Sequence, residues 1–112
     1  MKTVEEFAAE RAAQNETVMK YAGLSIKRFY GLDAGVYREG VLPRKTKELI
    51  GLVASLVLRC DDCVKYHAIG CKETGVTDAE LDEALSIGLV IGGSIAIPHL
   101  RRAIAAWDEL KA

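Results

Sequence analysis

Arg59-Cys60-Asp61-Asp62-Cys63-Val64-Lys65-Tyr66-His67 is the stretch from which the rest of the chain can be read. A helix through it puts Cys60, Cys63 and His67 at i, i+3 and i+7, one row on one face. Cys63 and His67 are then neighbours across a single turn, so the imidazole can reach that sulfur. A thiol of ordinary pKa, about 8.5, is only roughly 3 % ionised at neutral pH, so a useful sulfur nucleophile needs a base. His67 is the candidate base.

Glu48 lies twelve residues before Cys60. On one straight helix that separation is on the order of 18 Å, too far for any contact with the motif. The chain must therefore fold back near residues 59–61, which sets Glu48 on one helix against the helix carrying His67. A carboxylate there fixes the tautomer of His67 and raises its basicity. Taken alone, Glu48 reads as an exposed first-turn glutamate at the polar entrance of its helix; the downstream motif shifts the reading to a functional carboxylate.

Glu48, Cys60-x-x-Cys63 and His67, preceded by Leu42-Pro43-Arg44-Lys45-Thr46-Lys47, resemble the AhpD-like branch of the carboxymuconolactone decarboxylase superfamily. The likeness covers roughly residues 42–102. It implies an all-α bundle of about five to six helices, assembled as a trimer or hexamer. It also implies a redox-active disulfide between Cys60 and Cys63, no separate cofactor or resident metal, and a proton relay through Glu48 and His67 that supports hydroperoxide reduction. The best-known alkylhydroperoxidase members carry a second histidine between the cysteines, where this chain has Asp62. Asp62 is therefore read in two ways, as a further relay group or as an ordinary first-turn acid beside Asp61. The two aspartates disfavour a thiolate while the helix N-terminus favours it, so the net shift on the sulfurs has no sign from sequence.

In the cycle this suggests, one thiolate attacks a peroxide oxygen and the resulting sulfenic acid condenses with the other cysteine; an external dithiol reductant then reopens the bond. One-turn spacing couples Cys63 to His67 and leaves Cys60 as the more exposed partner for exchange. The superfamily also offers a lactone decarboxylase, with His67 and Glu48 as proton-transfer groups, but decarboxylation has no need of the dithiol. A non-enzymatic redox- or metal-responsive module is the third reading. Zinc held by Cys60, Cys63, His67 and Cys71 is excluded on one helix, because the outer sulfurs would lie about 16 Å apart and zinc holds each at roughly 2.3 Å. A three-ligand site with Glu48 stays open. Cys71 reads as a small buried apolar residue.

The 112 residues fit one domain. A net charge of -1 gives no electrostatic reason to expect nucleic acid or an anionic membrane as partner. The three cysteines all fall within residues 60–71, unlike a secreted disulfide scaffold, and Glu5, Glu6 and Glu10 interrupt any signal-peptide core. A cytoplasmic protein is expected.

Elsewhere the pattern is helical. Val4, Phe7 and Ala8 open a first helix, and Asn15 or Thr17 is placed to cap a second bearing Val18, Ala22, Ile26, Phe29 and Tyr30. Gly31, Gly35 and Gly40 suggest that this second helix breaks before Pro43. Tyr21, Tyr30 and Tyr37 read as core edge, the alternative being that they line a substrate pocket. The helix over residues 45–58 looks apolar on nearly every side. Gly75 ends the motif helix, and Thr77 with Glu80 forms a capping box for the next.

Residues 84–98 carry no charge, but fifteen residues fall short of the roughly 20 that a membrane span needs, so they read as a buried helix. Two such apolar helices exceed what a small chain can cover alone, and a homo-oligomer is expected. Beyond Pro98, Ala103, Ile104, Trp107 and Leu110 share one side of a last helix, and His99 reads as a surface or interface residue.

Overall fold

The computed structural model describes residues 2–111. Among them there are six α-helices, one short 3-10 turn and no strand: α1 (Val4–Tyr21), α2 (Leu24–Val36), α3 (Arg44–Val57), α4 (Asp61–Glu73), α5 (Asp78–Gly92), the turn Ser94–Ala96, and α6 (Ile97–Lys111). The fold is all-α, as the periodicity predicts. Among the described residues no helix is long and apolar enough to cross a membrane.

The first helical region differs from the sequence expectation. Thr3 caps α1 by accepting from the Glu6 amide, and the helix continues through both Asn15 and Thr17. Thr17 does not cap a new helix; its hydroxyl donates back to the Ala13 carbonyl at 3.3 Å. The break falls at Ala22 and Gly23, where the backbone is extended. Gly31 and Gly35 lie inside α2, which runs unbroken to Val36. Nothing in α2 is buried, and Leu24, Phe29 and Leu32 are each more than 60 % exposed. One tie to α1 is the Tyr30 hydroxyl, 3.3 Å from Asn15 Oδ1.

From α3 onward the chain is packed. Helix α3 sits between α4 and α5, and α6 closes over α4. The core is Leu52 and Leu56 of α3, Val64 and Cys71 of α4, Val76, Leu81 and Leu85, and Ala96, Ala103 and Trp107 from the C-terminal part. Gly88 lets α5 approach α3 closely, since a Cβ there would stand 2.8 Å from Leu56 Cδ2. The Trp107 indole donates to Asp78 at 2.8 Å, tying α6 to the start of α5. Gly75, at φ +83°, ends the motif helix in the left-handed conformation that favours glycine, and the Thr77/Glu80 capping box opens α5 as predicted.

The two apolar helices are not sheathed within one chain. Ile50 on α3 and Ile87, Val90 and Ile91 on α5 are exposed, because α5 packs mainly on α3 and the following turn and leaves its opposite side bare. Ile104 is likewise 45 % exposed, whereas Ala103 and Trp107 of the same helix are buried.

Candidate active site

The reversal between α3 and α4 creates the site. Leu58 caps α3 and Arg59 adopts φ 59°, the left-handed geometry usual for glycine at this place. The Arg59 amide donates to Leu56 O at 3.0 Å and the Cys60 amide to Ser55 O at 3.0 Å, the paired bonds of a Schellman ending. The chain thus turns back where the spacing of Glu48 and His67 requires it to.

Cys60 is the N-cap of α4, and its Sγ accepts the Cys63 amide at 3.3 Å. Cys60 and Cys63 are joined in a disulfide with their Cα atoms 5.3 Å apart. Exposure is the reverse of the expectation: Cys63 is exposed and Cys60 half-buried, because the cap position tucks Cys60 into the turn.

Across the α3·α4 interface, Glu48 Oε2 lies 3.2 Å from His67 Nδ1. Both side chains are buried, at 3 % and 7 % exposure, so Glu48 is not the solvent-facing first-turn acid that its position suggested. A carboxylate can only accept, so Nδ1 carries the proton and Nε2 presents its lone pair. That nitrogen faces Tyr37, whose hydroxyl donates to it across 3.4 Å. Burial, and then the nearby Asp33 and Glu48 charges, push the Tyr37 hydroxyl above its ordinary pKa, which keeps it a donor.

Tyr37 is the C-cap of α2. Its place is fixed by Lys47 of α3, whose ammonium donates to the Val36 and Arg38 carbonyls at 2.8 and 2.6 Å. Of the three tyrosines flagged in the sequence, Tyr37 alone touches the imidazole, while Tyr21 is 86 % exposed. A contact thirty positions away along the chain leaves no trace in local spacing.

The imidazole's hydrogen bonds go to Glu48 and Tyr37, and none joins it to a sulfur in this disulfide form. His67 and Cys63 do share a cavity of about 340 Å³, lined also by Phe7, Arg11, Asp33 and Asp62. Asp62 therefore faces the site. Asp61 does not: it accepts from Arg102 at 2.9 Å and pairs with His99 at 2.8 Å, which gives His99 a partner within its own chain. Cys71 is fully buried in the core, and burial pushes its thiol up to about 12. Among the described residues, no group of three or more His, Cys, Asp or Glu side chains is arranged to hold a metal ion.

A strand-free helical domain that carries a Cys-x-x-Cys pair at a helix start and a buried Glu–His pair behind it defines a class of helical dithiol proteins. Residues 25–106 match the carboxymuconolactone decarboxylase family, and the chain belongs to that family. It is 32 % identical over 100 residues to an uncharacterized protein of the cox locus in Paracoccus denitrificans, which spans 88 % of each chain. An uncharacterized protein of Cupriavidus necator is 31 % identical over 79 % of this chain and 78 % of its own.

Among solved structures, a Thermotoga maritima protein superposes with a TM-score of 0.93 at 54 % identity, covering 96 % of this chain and 94 % of that one. A second Thermotoga maritima structure, with a TM-score of 0.90 at 55 % identity and 94 % and 89 % coverage, is of a carboxymuconolactone decarboxylase family protein with a suggested part in antioxidative response. A family protein of Legionella pneumophila shares the fold, with a TM-score of 0.89 at 23 % identity over 97 % of both chains.

Proposed function

We propose that the chain is a thiol-dependent peroxidase of the AhpD-like kind, a dithiol–disulfide oxidoreductase that reduces hydroperoxides. The observation that carries the reading is the buried Glu48–His67 pair, whose imidazole lines the same cavity as Cys63, with Cys60 close enough to Cys63 to be bonded to it. The antioxidative part suggested for the Thermotoga maritima protein agrees with it.

In the reduced enzyme His67, its Nδ1–H held by Glu48, takes the Cys63 proton at Nε2. The thiolate attacks the terminal oxygen of the hydroperoxide; an S–O bond forms, the O–O bond breaks, and an alcohol departs with a proton. Cys60 then displaces water from the sulfenic acid and closes the disulfide. An external dithiol reduces it, which suits a reducing compartment such as the cytoplasm. Exposure and the shared cavity favour Cys63 as the attacking sulfur. In this reading Asp62, which lines the same cavity, passes a proton between solvent and the sulfur. The working form is a homo-oligomer, a trimer or hexamer, in which the bare apolar faces of α2 and α5 are covered.

The test is to treat reduced protein with one equivalent of hydroperoxide, count the remaining thiols, and map the oxidised cysteines by mass. Cys60→Ser and Cys63→Ser should each abolish disulfide formation, and Cys71→Ser should retain it. Peroxide consumption that survives loss of Cys63 would defeat the proposal.

A further inference from the structure

Two glycines occupy the interior of the helices that carry the relay, and neither is required by backbone conformation. Gly51 in α3 and Gly70 in α4 have ordinary helical torsions, where glycine is among the poorest choices. What each adjoins accounts for it. A Cβ on Gly51 would stand 2.6 to 2.8 Å from three ring atoms of His67. A Cβ on Gly70 would run into the carboxylate of Glu48, touching Oε2 and Cδ.

The arrangement is reciprocal. Glu48 and Gly51 are three residues apart on α3, and His67 and Gly70 are three apart on α4. Each functional side chain lies over the glycine that belongs to its partner's helix. Resting on the proposed relay, we infer that Gly51 and Gly70 are positioning residues: paired seats that admit the imidazole and the carboxylate between two close helices and set their 3.2 Å contact.

Gly88 shows what a merely structural glycine looks like in the same bundle, since the nearest atom a Cβ would meet there belongs to Leu56. Around the ring, the other titratable groups are Tyr37 at the end of α2 and Tyr66 on α4, with Asp62, Cys63 and Lys65 of α4, Asp33 of α2, and Lys2, Glu10 and Arg11 of the N-terminal region on the cavity wall. None of them supplies the space that the two glycines leave.

The experiment compares Gly51→Ala, Gly70→Ala and Gly88→Ala with the unaltered protein in the disulfide form, by ring-nitrogen chemical shifts. The chain has only two histidines, so His99 serves as an internal reference. The unaltered protein should show His67 protonated at Nδ1. Gly51→Ala and Gly70→Ala should lose that single tautomer, whereas Gly88→Ala should keep it despite lower thermal stability. In the reduced forms, thiol reactivity near neutral pH should fall at least about tenfold in the first two and recover by about pH 9.

Should Gly70→Ala fold poorly, Glu48→Ala with Gly70→Ala removes the atoms the new methyl would meet, and the pair should be no less stable than Glu48→Ala alone. Native His67 shifts in both Gly51→Ala and Gly70→Ala would overturn the inference, as would fully additive destabilisation in the double variant. The spectroscopic arm involves no peroxide, so it stands or falls apart from the proposed activity.

Discussion

Replacing Glu48 with glutamine removes one charge from a buried pair and almost nothing else. Glutamine keeps the volume and an acceptor oxygen, so the 3 % exposed site has no cavity to collapse. At the 3.2 Å separation from Nδ1, attraction between a carboxylate and an imidazolium is about 5 kcal/mol at an effective dielectric near 20, which is the ceiling on the effect. Because the amide still accepts from Nδ1–H, the expected loss is the smaller gap between a charge-assisted and a neutral hydrogen bond, about 1–2 kcal/mol. That converts to a fall of roughly 5- to 30-fold in the thiolate–imidazolium population at neutral pH.

The assay is the second-order rate of the reduced protein with hydroperoxide, followed across the pH range under single-turnover conditions. Above the thiol's ordinary pKa of about 8.5 the sulfur ionises without help, so the two proteins should converge by about pH 9. Equal slowing at every pH would refute the relay and leave Glu48 a structural residue. No slowing at all would remove it from the mechanism.

Tyr37→Phe takes away the hydroxyl that occupies Nε2, so neutral-pH thiol reactivity should rise roughly two- to fivefold, the worth of one weak neutral hydrogen bond; a tenfold fall would show instead that the hydroxyl itself passes the proton. Cys71 should resist alkylation until the protein unfolds, as labelling with and without denaturant will show. Its folded thiol is raised from 9.0 to about 12, so the fold favours the neutral form. That stabilisation is complete below about pH 9 and is lost as pH climbs towards 12, by up to about 1.4 kcal/mol per pH unit. Alkaline unfolding midpoints should accordingly fall less steeply in Cys71→Ala. Val90→Glu with Ile91→Glu places charge on the bare side of α5 and should dissociate the proposed homo-oligomer in sedimentation; an unchanged mass would show that this side is not an interface.

The parts of the molecule legible in sequence are those governed by near neighbours along the chain. The Thr77/Glu80 box, the Gly75 ending and the start of α4 at Cys60 each depend on residues within a turn, and spacing alone located them. The fold-back at Arg59 was legible for another reason: no straight path joins Glu48 to His67. What escaped depends on distant surroundings. Asn15 and Thr17 have the chemistry of caps, yet α1 runs on through them and turns only at Ala22 and Gly23. The depth of Glu48 is set by α4 lying across it, and the approach of Tyr37 by Lys47 gripping the end of α2. An apolar run discloses that a surface must be covered, but not whether the cover belongs to the same chain, which is why Val90 and Ile91 stand in solvent here.

The bond from the Cys63 amide to the sulfur of Cys60 ties electron transfer to local order. A helix normally closes its first turn with an oxygen whose accepting strength never changes; here the acceptor is a bridged sulfur in one state, and in the other a thiol or an anion facing the positive end of the helix dipole. In the proposed cycle reduction would therefore change the acceptor that closes the first turn of α4, so amide exchange at Cys63 should differ between the oxidised and reduced protein.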